Sequence, residues 1–443
     1  MKRNAFTLVE LLAVIGILAV ILTITIPIIG NYIKDKKKDS FFISAKNILR
    51  HVEAEGLYDN EINARLNMLN LTDLKEENYD IEGSYVYTKD GELHLTLKGK
   101  GQFKGLYICG LTSSIKENNV VETECSEDNF KANLADYITR LYNNEETRTS
   151  NGLKKDNTED ENIRYYGSNP DNYVSFNNEL WRIIGVFGNN VKLVRKDSLG
   201  SLSWDSSDES VNSGYGINQW GESTYEDGSS YEGADLQVYL NKMYYGGDTT
   251  ITCYGTWKNT TTTCPTNTLD NTAKTLIDNY TWNTGAPNYS KLYDSTTNTL
   301  DTVEFYKAER GNETGKICSS GKWCNDTVTR TTEWTGYIAL PYLTDWAYAS
   351  ENSICETNMQ VQASSNNFIC NNNNWMQRRG WTLSPSAFTI NANYVWYVDG
   401  LPNFTNASNA LADAVFPAIY LKSNVLIERG TGSETNPYTL SIK

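Results

Sequence analysis

The feature that most constrains this chain is an apolar stretch near its N-terminus. From Phe6 to Ile29 the sequence has a single charged residue, Glu10. As a helix this stretch would be about 36 Å long, which is enough to cross a lipid bilayer. A carboxylate in such surroundings is costly unless it is paired, so we expect Glu10 to have a functional partner.

The composition excludes several classes of function. The chain has 443 residues, of which 39 are basic and 54 acidic, and its formal net charge is −15. No basic surface that would bind phosphate backbones is expected, so nucleic acid is not an expected partner. The only histidines are His51 and His94, which leaves the C-terminal half without histidine for a catalytic triad or a zinc site. Neither a phosphate loop nor a hydrolase motif is present, and we expect no cofactor or metal.

The cysteines indicate an exported protein. Their number is even and no two have the CxxC spacing of a metal or redox site, which favours disulfides. Pairing between sequence neighbours is the interpretation we favour, although the sequence leaves the connectivity open. Buried free thiols in a reducing compartment are the alternative. The eight residues are Cys109, Cys125, Cys253, Cys264, Cys318, Cys324, Cys355 and Cys370.

The N-terminal residues carry a resemblance to a known family. The chain begins with the short basic leader MKRNA, continues with FTLVELLAVIGILAVI and has a proline at Pro27. This pattern resembles the leader and N-terminal helix of type IV pilins and pseudopilins. The resemblance implies that a prepilin peptidase removes residues 1–5 by cutting between Ala5 and Phe6, and methylates the new amino group of Phe6. It departs from the family at Ala5, where glycine is usual.

The same resemblance gives two residues a role in assembly. Glu10 would pair with the amino group of Phe6 in a neighbouring subunit and so fix the axial register. Pro27 lacks the backbone N–H of a helical residue and would bend or loosen the helix. The implied partners are other pilin subunits, the prepilin peptidase, the pilus assembly platform and, before assembly, the membrane. The implied location is the cell membrane as a single-pass precursor, then a pilus outside a Gram-positive cell.

We expect an α+β protein with two folded parts. Residues 6–142 are predicted to form a pilin module, in which a helix over 6–55 packs on a small antiparallel sheet. Alternating apolar residues around Lys89-Asp90-Gly91 predict a hairpin in that sheet, and a helix is predicted over 127–142. The polar residues 143–162 are predicted to be a linker.

Residues 163–443 are predicted to form a large β-rich surface domain. Strand patterns occur at 180–187, 191–195 and 418–421, and a short helix is predicted over 235–245. The Thr/Asn-rich stretch 249–301 is interpreted as a surface insertion. Segments such as ELWRIIGV and FPAIYLKSN resemble uncharacterised surface domains of Gram-positive bacteria. They also loosely resemble a C-type-lectin-like or sulfatase-modifying-enzyme-like topology.

The function favoured by these patterns is that of a large pilin-like subunit, in a minor or tip position, that displays a binding or adhesion domain. Trp375, Arg378, Arg379 and Trp381 interleave rings with guanidinium groups and are the candidate contacts for a surface glycan or protein. We do not expect an enzyme. The alternatives are a membrane-tethered glycosidase built on two carboxylates and a low-copy pseudopilin of a secretion or DNA-uptake machine. Two acidic clusters, Asp205 with Asp208 and Glu209, and Glu226 with Asp227, are interpreted as solvated loops rather than calcium sites.

Overall fold

The structure, a computed structural model, divides the chain into two compact units, residues 1–130 and residues 131–443. Both units combine helices with antiparallel strands, so the α+β class is confirmed. The residues that the structure describes are 8–54, 62–69, 71, 77–89, 91–127, 129–206, 216–224, 230–256, 260–311, 332–360, 362–364, 367–387, 393–399, 402–406 and 413–442.

Unit 1 contains one long helix and a four-stranded sheet. Helix α1 spans Leu8–Ala54, and the strands are β1 (Asn63–Arg65), β2 (Tyr85–Lys89), β3 (Glu92–Lys98) and β4 (Tyr107–Leu111). The strand order is β1-β2-β3-β4, with every pair antiparallel. The hairpin predicted around Gly91 is confirmed as β2 and β3. Gly91 has a φ of +78°, a conformation that glycine adopts without steric cost.

The core of unit 1 includes the C-terminal part of α1. Phe41 lies with its ring centroid 6.1 Å from that of Tyr79 and 5.1 Å from that of Phe103. Further along α1 the buried residues recur at helical spacing, which gives the helix one apolar face there. They share a single hydrophobic cluster with β2, β3 and β4, and they are Ala45, Ile48, Leu49 and Val52.

Unit 2 begins with short elements. These are β5 (Ala132–Asn133), α2 (Leu134–Asn143), α3 (Glu145–Ser150), β6 (Leu153–Lys155) and β7 (Ile163–Tyr165). They are followed by β8 (Tyr173–Phe176), β9 (Glu179–Phe187), β10 (Asn190–Arg195), β11 (Ser201–Leu202), β12 (Ser223–Thr224) and β13 (Ser230–Tyr231).

The middle of unit 2 alternates helices and short strands. In chain order these are α4 (Asp235–Val238), which continues as a π-helix over Tyr239–Tyr245, then β14 (Cys253–Thr256), β15 (Thr260–Thr262), α5 (Asn271–Leu276), β16 (Tyr280–Asn283), α6 (Tyr289–Leu292), β17 (Tyr293–Asp294), β18 (Thr299–Leu300), α7 (Thr302–Glu309), β19 (Glu333–Gly336), β20 (Ile338–Ala339) and α8 (Leu343–Tyr348).

The last part of unit 2 is built of strands. They are β21 (Gln362–Ser364), β22 (Asn367–Phe368), β23 (Gly380–Ser386), β24 (Tyr394–Val398), β25 (Pro402–Asn406), β26 (Asp413–Ala414), β27 (Ala418–Tyr420), β28 (Val425–Arg429) and β29 (Tyr438–Ile442).

A ten-stranded sheet organises unit 2. Eight of its strands follow the order β20-β27-β10-β9-β8-β29-β28-β5, while β6 and β7 pair with each other and β7 also pairs with β9. Within this sheet β29 and β8 run parallel, and the other pairs are antiparallel. The strands predicted over 180–187 and 191–195 are confirmed as β9 and β10, which lie near its centre. The side chains of Trp181 on β9 and Leu193 on β10 are fully buried.

The predicted linker over 143–162 is wrong. Helix α3 and strand β6 fall inside it, and the side chains of Thr147, Asp156 and Asn162 are buried. Their polar groups are satisfied inside the protein, because Asn144 caps α3 and Asp156 accepts hydrogen bonds from Thr158, Asn162 and Arg164. A polar segment is therefore buried here because its polar groups are paired within the protein.

Two further boundaries differ from the prediction. The helix predicted over 127–142 is observed as α2, Leu134–Asn143, and it belongs to unit 2. It starts late because Asn133 caps it, its side chain accepting a hydrogen bond from the Asp136 N–H at 3.1 Å. The stretch 249–301 is only partly a surface insertion, since Trp282 on β16 is fully buried and donates from its indole nitrogen to the Gly336 carbonyl.

Candidate functional site

The N-terminal half of α1 is an exposed apolar surface. The large apolar side chains from Leu8 to Ile33 that the structure describes are 48–74% exposed. This contrasts with the stretch from Phe41 to Val52, where the apolar side chains of the same helix enter the unit 1 core. Contiguous apolar surface of this extent marks an interaction site in a folded protein.

Polar groups within this apolar surface are few. Glu10 lies near the start of the described part of α1, and its side chain is exposed. The hydroxyls of Thr23 and Thr25 donate to the carbonyls of Val20 and Ile21, each at 2.8 Å, so they are satisfied within the helix itself. These hydroxyls therefore do not interrupt the apolar character of the surface.

The other residues predicted to act in assembly are placed as follows. Pro27 lies inside α1, which stays helical on both sides of it. The cleavage and methylation site, Ala5 and Phe6, lies outside the described residues. Among the residues that are described, a search for a helix both long enough and apolar enough to cross a membrane finds none.

A cluster of charges lies between the exposed and the buried parts of α1. Lys34 and Lys38 both place their Nζ 2.8 Å from Oε1 of Glu122. These two hydrogen-bonded ammonium groups lower the pKa of the Glu122 carboxyl to about 2. The pairs tie α1 to the segment that follows β4, just before the helix enters the core.

Three disulfides lie within the described residues. They join Cys109 to Cys125, Cys253 to Cys264 and Cys355 to Cys370, with Cα–Cα distances of 5.5, 5.2 and 5.7 Å. All three follow the sequential pairing that the spacing suggested. Cys318 and Cys324 lie outside the described residues.

The four residues proposed to contact a ligand do not form one accessible surface. Trp375 and Trp381 are buried, and their indole nitrogens donate to the carbonyls of Tyr165 at 2.9 Å and of Leu202 at 2.8 Å. Arg378 donates to the carbonyls of Arg195 and Lys196 at 3.0 Å each, and burial lowers its pKa to about 9.

Arg379 is the most exposed member of this group, while Arg378 is half-buried. The Arg379 side chain is 42% exposed and pairs with Asp399 and with the buried Asp413. The interleaved rings and guanidinium groups therefore hold strands together, and the prediction of a ligand surface on all four is wrong. Rings with a hydrogen-bonding edge are as well suited to a core as to a ligand site, and the sequence alone does not separate the two roles.

Unit 2 contains a buried charge cluster that the sequence analysis missed. Arg164 on β7 donates from Nε to Asp156 at 2.8 Å and from Nη1 to Asp345 at 2.6 Å. Lys192 on β10 donates to the other oxygen of Asp345, also at 2.6 Å. These side chains are at most 1% exposed. Their signal in the sequence is a lone charge inside an apolar segment, as in IRYY, VKLV and LTDWAY.

Glu309, at the end of α7, lies in the same interior. Its carboxylate accepts hydrogen bonds from the backbone of Leu343, from Thr344 and from Ser384, and Arg310 lies 3.9 Å away. Burial raises the pKa of this carboxyl above its ordinary value.

An acidic pair, the buried Asp205 and the half-buried Asp235, joins two segments of unit 2. Asp205 accepts from the backbone N–H of Ile217 at 2.6 Å and of Asp235 at 3.1 Å, while Asp235 accepts from that of Ser206 at 2.7 Å. Burial raises the pKa of Asp205 to about 6, and burial together with the charge of Asp205 raises that of Asp235 to about 8.

The other acids considered for calcium, Asp208, Glu209, Glu226 and Asp227, lie outside the described residues. In the part of the chain that is described, no group of three or more acidic, histidine or cysteine side chains is arranged to hold a metal ion. The interpretation of Asp205 as part of a solvated loop is wrong. Its side chain is buried and accepts hydrogen bonds from the backbone N–H groups of Ile217 and Asp235.

Comparison of this chain with models of protein families, with curated proteins and with solved structures finds no match. The assignment of a function therefore depends on the exposed helix and on the resemblance of its sequence.

Proposed function

We propose that the protein is a large pilin-like subunit that assembles with copies of itself, or with related subunits, through the N-terminal half of α1. Unit 2 is then displayed outside the cell as a binding or adhesion domain. The observation that carries the proposal is that one helix is exposed and apolar from Leu8 to Ile33, and buried in a core from Phe41 to Val52.

The energetics support association of this segment. Burial of one Leu or Ile side chain contributes about 1.5–3 kcal/mol, so covering only part of this surface offsets the cost of ordering an assembly. Another copy of the same helix presents an apolar rod of equal length. Ala13, Gly16 and Ala19 follow one another at a spacing of three residues, and a Cβ built on Gly16 would meet nothing within 4 Å. Small residues of this kind permit close approach of a second helix.

The resemblance adds a mechanism for register. In the proposal the Glu10 carboxylate pairs with the methylated amino group of Phe6 in the next subunit. A charged pair surrounded by apolar side chains is stable only when both partners are present, so a subunit shifted along the axis leaves two buried charges without counter-ions. The same proposal places the uncut precursor in the membrane and brings it to the prepilin peptidase and the assembly platform.

The finer fold assignments belong to the same proposal. A pilin module, in which the long helix packs on an antiparallel sheet, is supported by the cluster that α1 shares with β2, β3 and β4. The size of unit 2, residues 131–443, favours a minor or tip position, because such a domain on every subunit would crowd a filament. The C-type-lectin-like topology of residues 163–443 and a glycan or protein ligand stay predictions.

The test is a comparison of two charge-removing substitutions in the same helix. Glu10→Val removes the proposed register pair, and Asp35→Val removes an exposed acid of α1 that lies outside the apolar half. We expect Glu10→Val to abolish recovery of the protein in sheared surface filaments while its total cellular amount is unchanged, and Asp35→Val to be recovered like the wild type. Equal recovery of both variants in the filament fraction would contradict the proposal.

A further inference from the structure

Lys192 and Asp345 form an unusual pair in the interior of unit 2. The Nζ of Lys192 lies 2.6 Å from Oδ2 of Asp345, the lysine side chain is fully buried and that of the aspartate is 1% exposed. Lys192 is on a central strand of the ten-stranded sheet, and Asp345 is in the first turn of α8. The two residues are 153 positions apart in the sequence.

Aromatic rings surround the lysine. Its Nζ lies 4.1 Å from the ring centroid of Tyr342, and 5.3–5.5 Å from those of Trp282, Tyr420 and Phe187. The ring faces attract a cation, but burial removes the ammonium from water and lowers the pKa of Lys192 to about 8 despite the neighbouring carboxylate. The neutral amine, which is the nucleophilic form, is therefore accessible at neutral pH.

The carboxyl group of Asp345 is held at both oxygens. Oδ1 accepts from Nη1 of Arg164 at 2.6 Å, and Oδ2 accepts from the backbone N–H of Tyr342 at 2.9 Å. A guanidinium on Oδ1 is positioned to stabilise negative charge that develops on this oxygen when a nucleophile attacks Cγ. The Lys192 amine is thus held against one oxygen of the Asp345 carboxyl group, by packing on one side and by hydrogen bonds on the other.

We propose that Lys192 and Asp345 become joined by an intramolecular isopeptide bond. A proton passes from the Lys192 ammonium to Oδ2, the neutral amine attacks Cγ, and a second proton passes from nitrogen to the same oxygen. The Nζ–Cγ bond forms, the Cγ–Oδ2 bond breaks, and Oδ2 leaves as one molecule of water. No oxidant, metal or external reactant is required, because an ammonium and a carboxylate yield an amide and water.

Two features of the site favour the amide. Holding the reacting groups in contact is equivalent to an effective concentration of about 10⁵–10⁸ M in well-oriented systems, and burial restricts access of the water that would hydrolyse the product. Charge balance is also kept. Once Lys192 and Asp345 are neutral, Arg164 retains Asp156 as its counter-ion at 2.8 Å, so no unbalanced charge is left inside. The bond would tie β10 covalently to α8.

The same unit contains an internal control. Lys154 lies 2.8 Å from Glu356, but the two side chains are 15% and 21% exposed, and the Lys154 Nζ also donates to the carbonyl of Ser350. Water reaches this pair, so it should remain an ordinary ion pair. The inference about Lys192 does not depend on the proposed function, since it concerns the interior of unit 2 alone.

Peptide mass spectrometry of the full-length wild-type chain, purified in detergent, tests the proposal. After reduction, alkylation and digestion with trypsin, we expect the peptides that contain Lys192 and Asp345 to appear as one species, lighter by one water than their sum. Trypsin should fail to cleave after Lys192. It should cleave after Lys154 as usual, and the Lys154 peptide should stay separate from the peptide 331–378, which contains both Asp345 and Glu356. Lys192→Met should abolish the joined species.

Separate peptides with normal cleavage after Lys192 in the wild type would overturn the proposal, whether or not the variant folds. A loss of one water that persists in Lys192→Met would overturn it as well, because the bond would then lie elsewhere.

Discussion

The charge cluster of unit 2 allows a quantitative test through Arg164→Met. Methionine keeps much of the volume of the arginine side chain but removes the guanidinium that contacts Asp156 at 2.8 Å. Burial raises the pKa of the Asp156 carboxyl, and the Arg164 guanidinium, with hydrogen bonds from Thr158 and Asn162, outweighs that effect and holds the pKa below its ordinary value. In the variant, burial still raises the pKa of Asp156, and only the weaker hydrogen bonds from the neutral donors Thr158 and Asn162 oppose it.

The expected loss follows from the burial of both partners. Removing one member of a fully buried ion pair costs about 3–5 kcal/mol, because the remaining charge has no counter-ion. The matched control is Lys155→Met, which removes the lysine of an exposed pair with Glu161, also at 2.8 Å, whose side chains are 42% and 67% exposed. Exposed pairs contribute about 0–1 kcal/mol, so the control should be nearly neutral.

The loss of unfolding free energy in Arg164→Met should depend on pH in a definite direction. In the wild type the folded-state pKa of Asp156 is depressed, so its contribution to stability is present above the unfolded pKa and is lost as the pH falls through the folded value. Without Arg164 we expect the folded-state pKa of Asp156 to lie above its unfolded-state pKa. The variant should then lose stability as the pH rises from the unfolded-state pKa to the folded-state pKa. The difference between the two proteins should therefore grow from pH 4 to pH 7.

The assay is urea unfolding followed by tryptophan fluorescence at pH 4.5 and at pH 7, with the free energy of unfolding compared among wild type, Arg164→Met and Lys155→Met. A loss below about 1 kcal/mol at pH 7, or a loss equal to that of the control, would refute the account of the buried cluster.

The remaining predictions concern other parts of the chain. Since burial raises the pKa of Asp205 and Asp235 to about 6 and about 8, the folded state binds more protons than the unfolded state, and stability should fall as the pH rises from about 4 to 8. Asp235→Asn should flatten this slope in urea titrations at several pH values, and an unchanged slope would show that the pair does not titrate in this range. Joint replacement of Cys355 and Cys370 by serine opens a loop with a sequence separation of 15 and should cost about 3 kcal/mol of unfolding free energy. Trp381→Ala should cost about 3–5 kcal/mol, measured by thermal unfolding, because this ring is 1% exposed; a neutral effect would restore it as a surface contact.

The sequence predicted those elements whose local pattern and tertiary environment agree. The hairpin of β2 and β3 has alternating apolar residues on either side of Gly91, so periodicity and turn chemistry indicate the same structure. Strand β9 is mostly apolar, apart from Glu179 and Arg182, which suits its place between β8 and β10 with Trp181 fully buried.

The errors arise where polar residues are buried. Asn162 and Asp156 look like linker residues in the sequence, yet Asn162 donates to Asp156 at 3.1 Å. Asn162 also donates to the hydroxyl of Tyr306 at 2.9 Å, and Tyr306 is 144 positions away in the sequence. Trp381 looks like a ligand contact in the sequence. Its hydrogen-bond partner, the Leu202 carbonyl, is 179 positions away, so nothing near Trp381 in the sequence indicates that the ring is buried. Contacts at such separations depend on the topology of the whole unit, which no local pattern contains.

The central claim, that the chain assembles as a pilin-like subunit through α1, is tested most directly by mass spectrometry of the N-terminal peptide of the protein in sheared cell-surface material. We predict a peptide that begins at Phe6 and carries one methyl group on its amino nitrogen. A peptide that begins at Met1, or that begins after Ile29, would contradict the claim and would make a surface-anchored or secreted binding protein or enzyme the leading account.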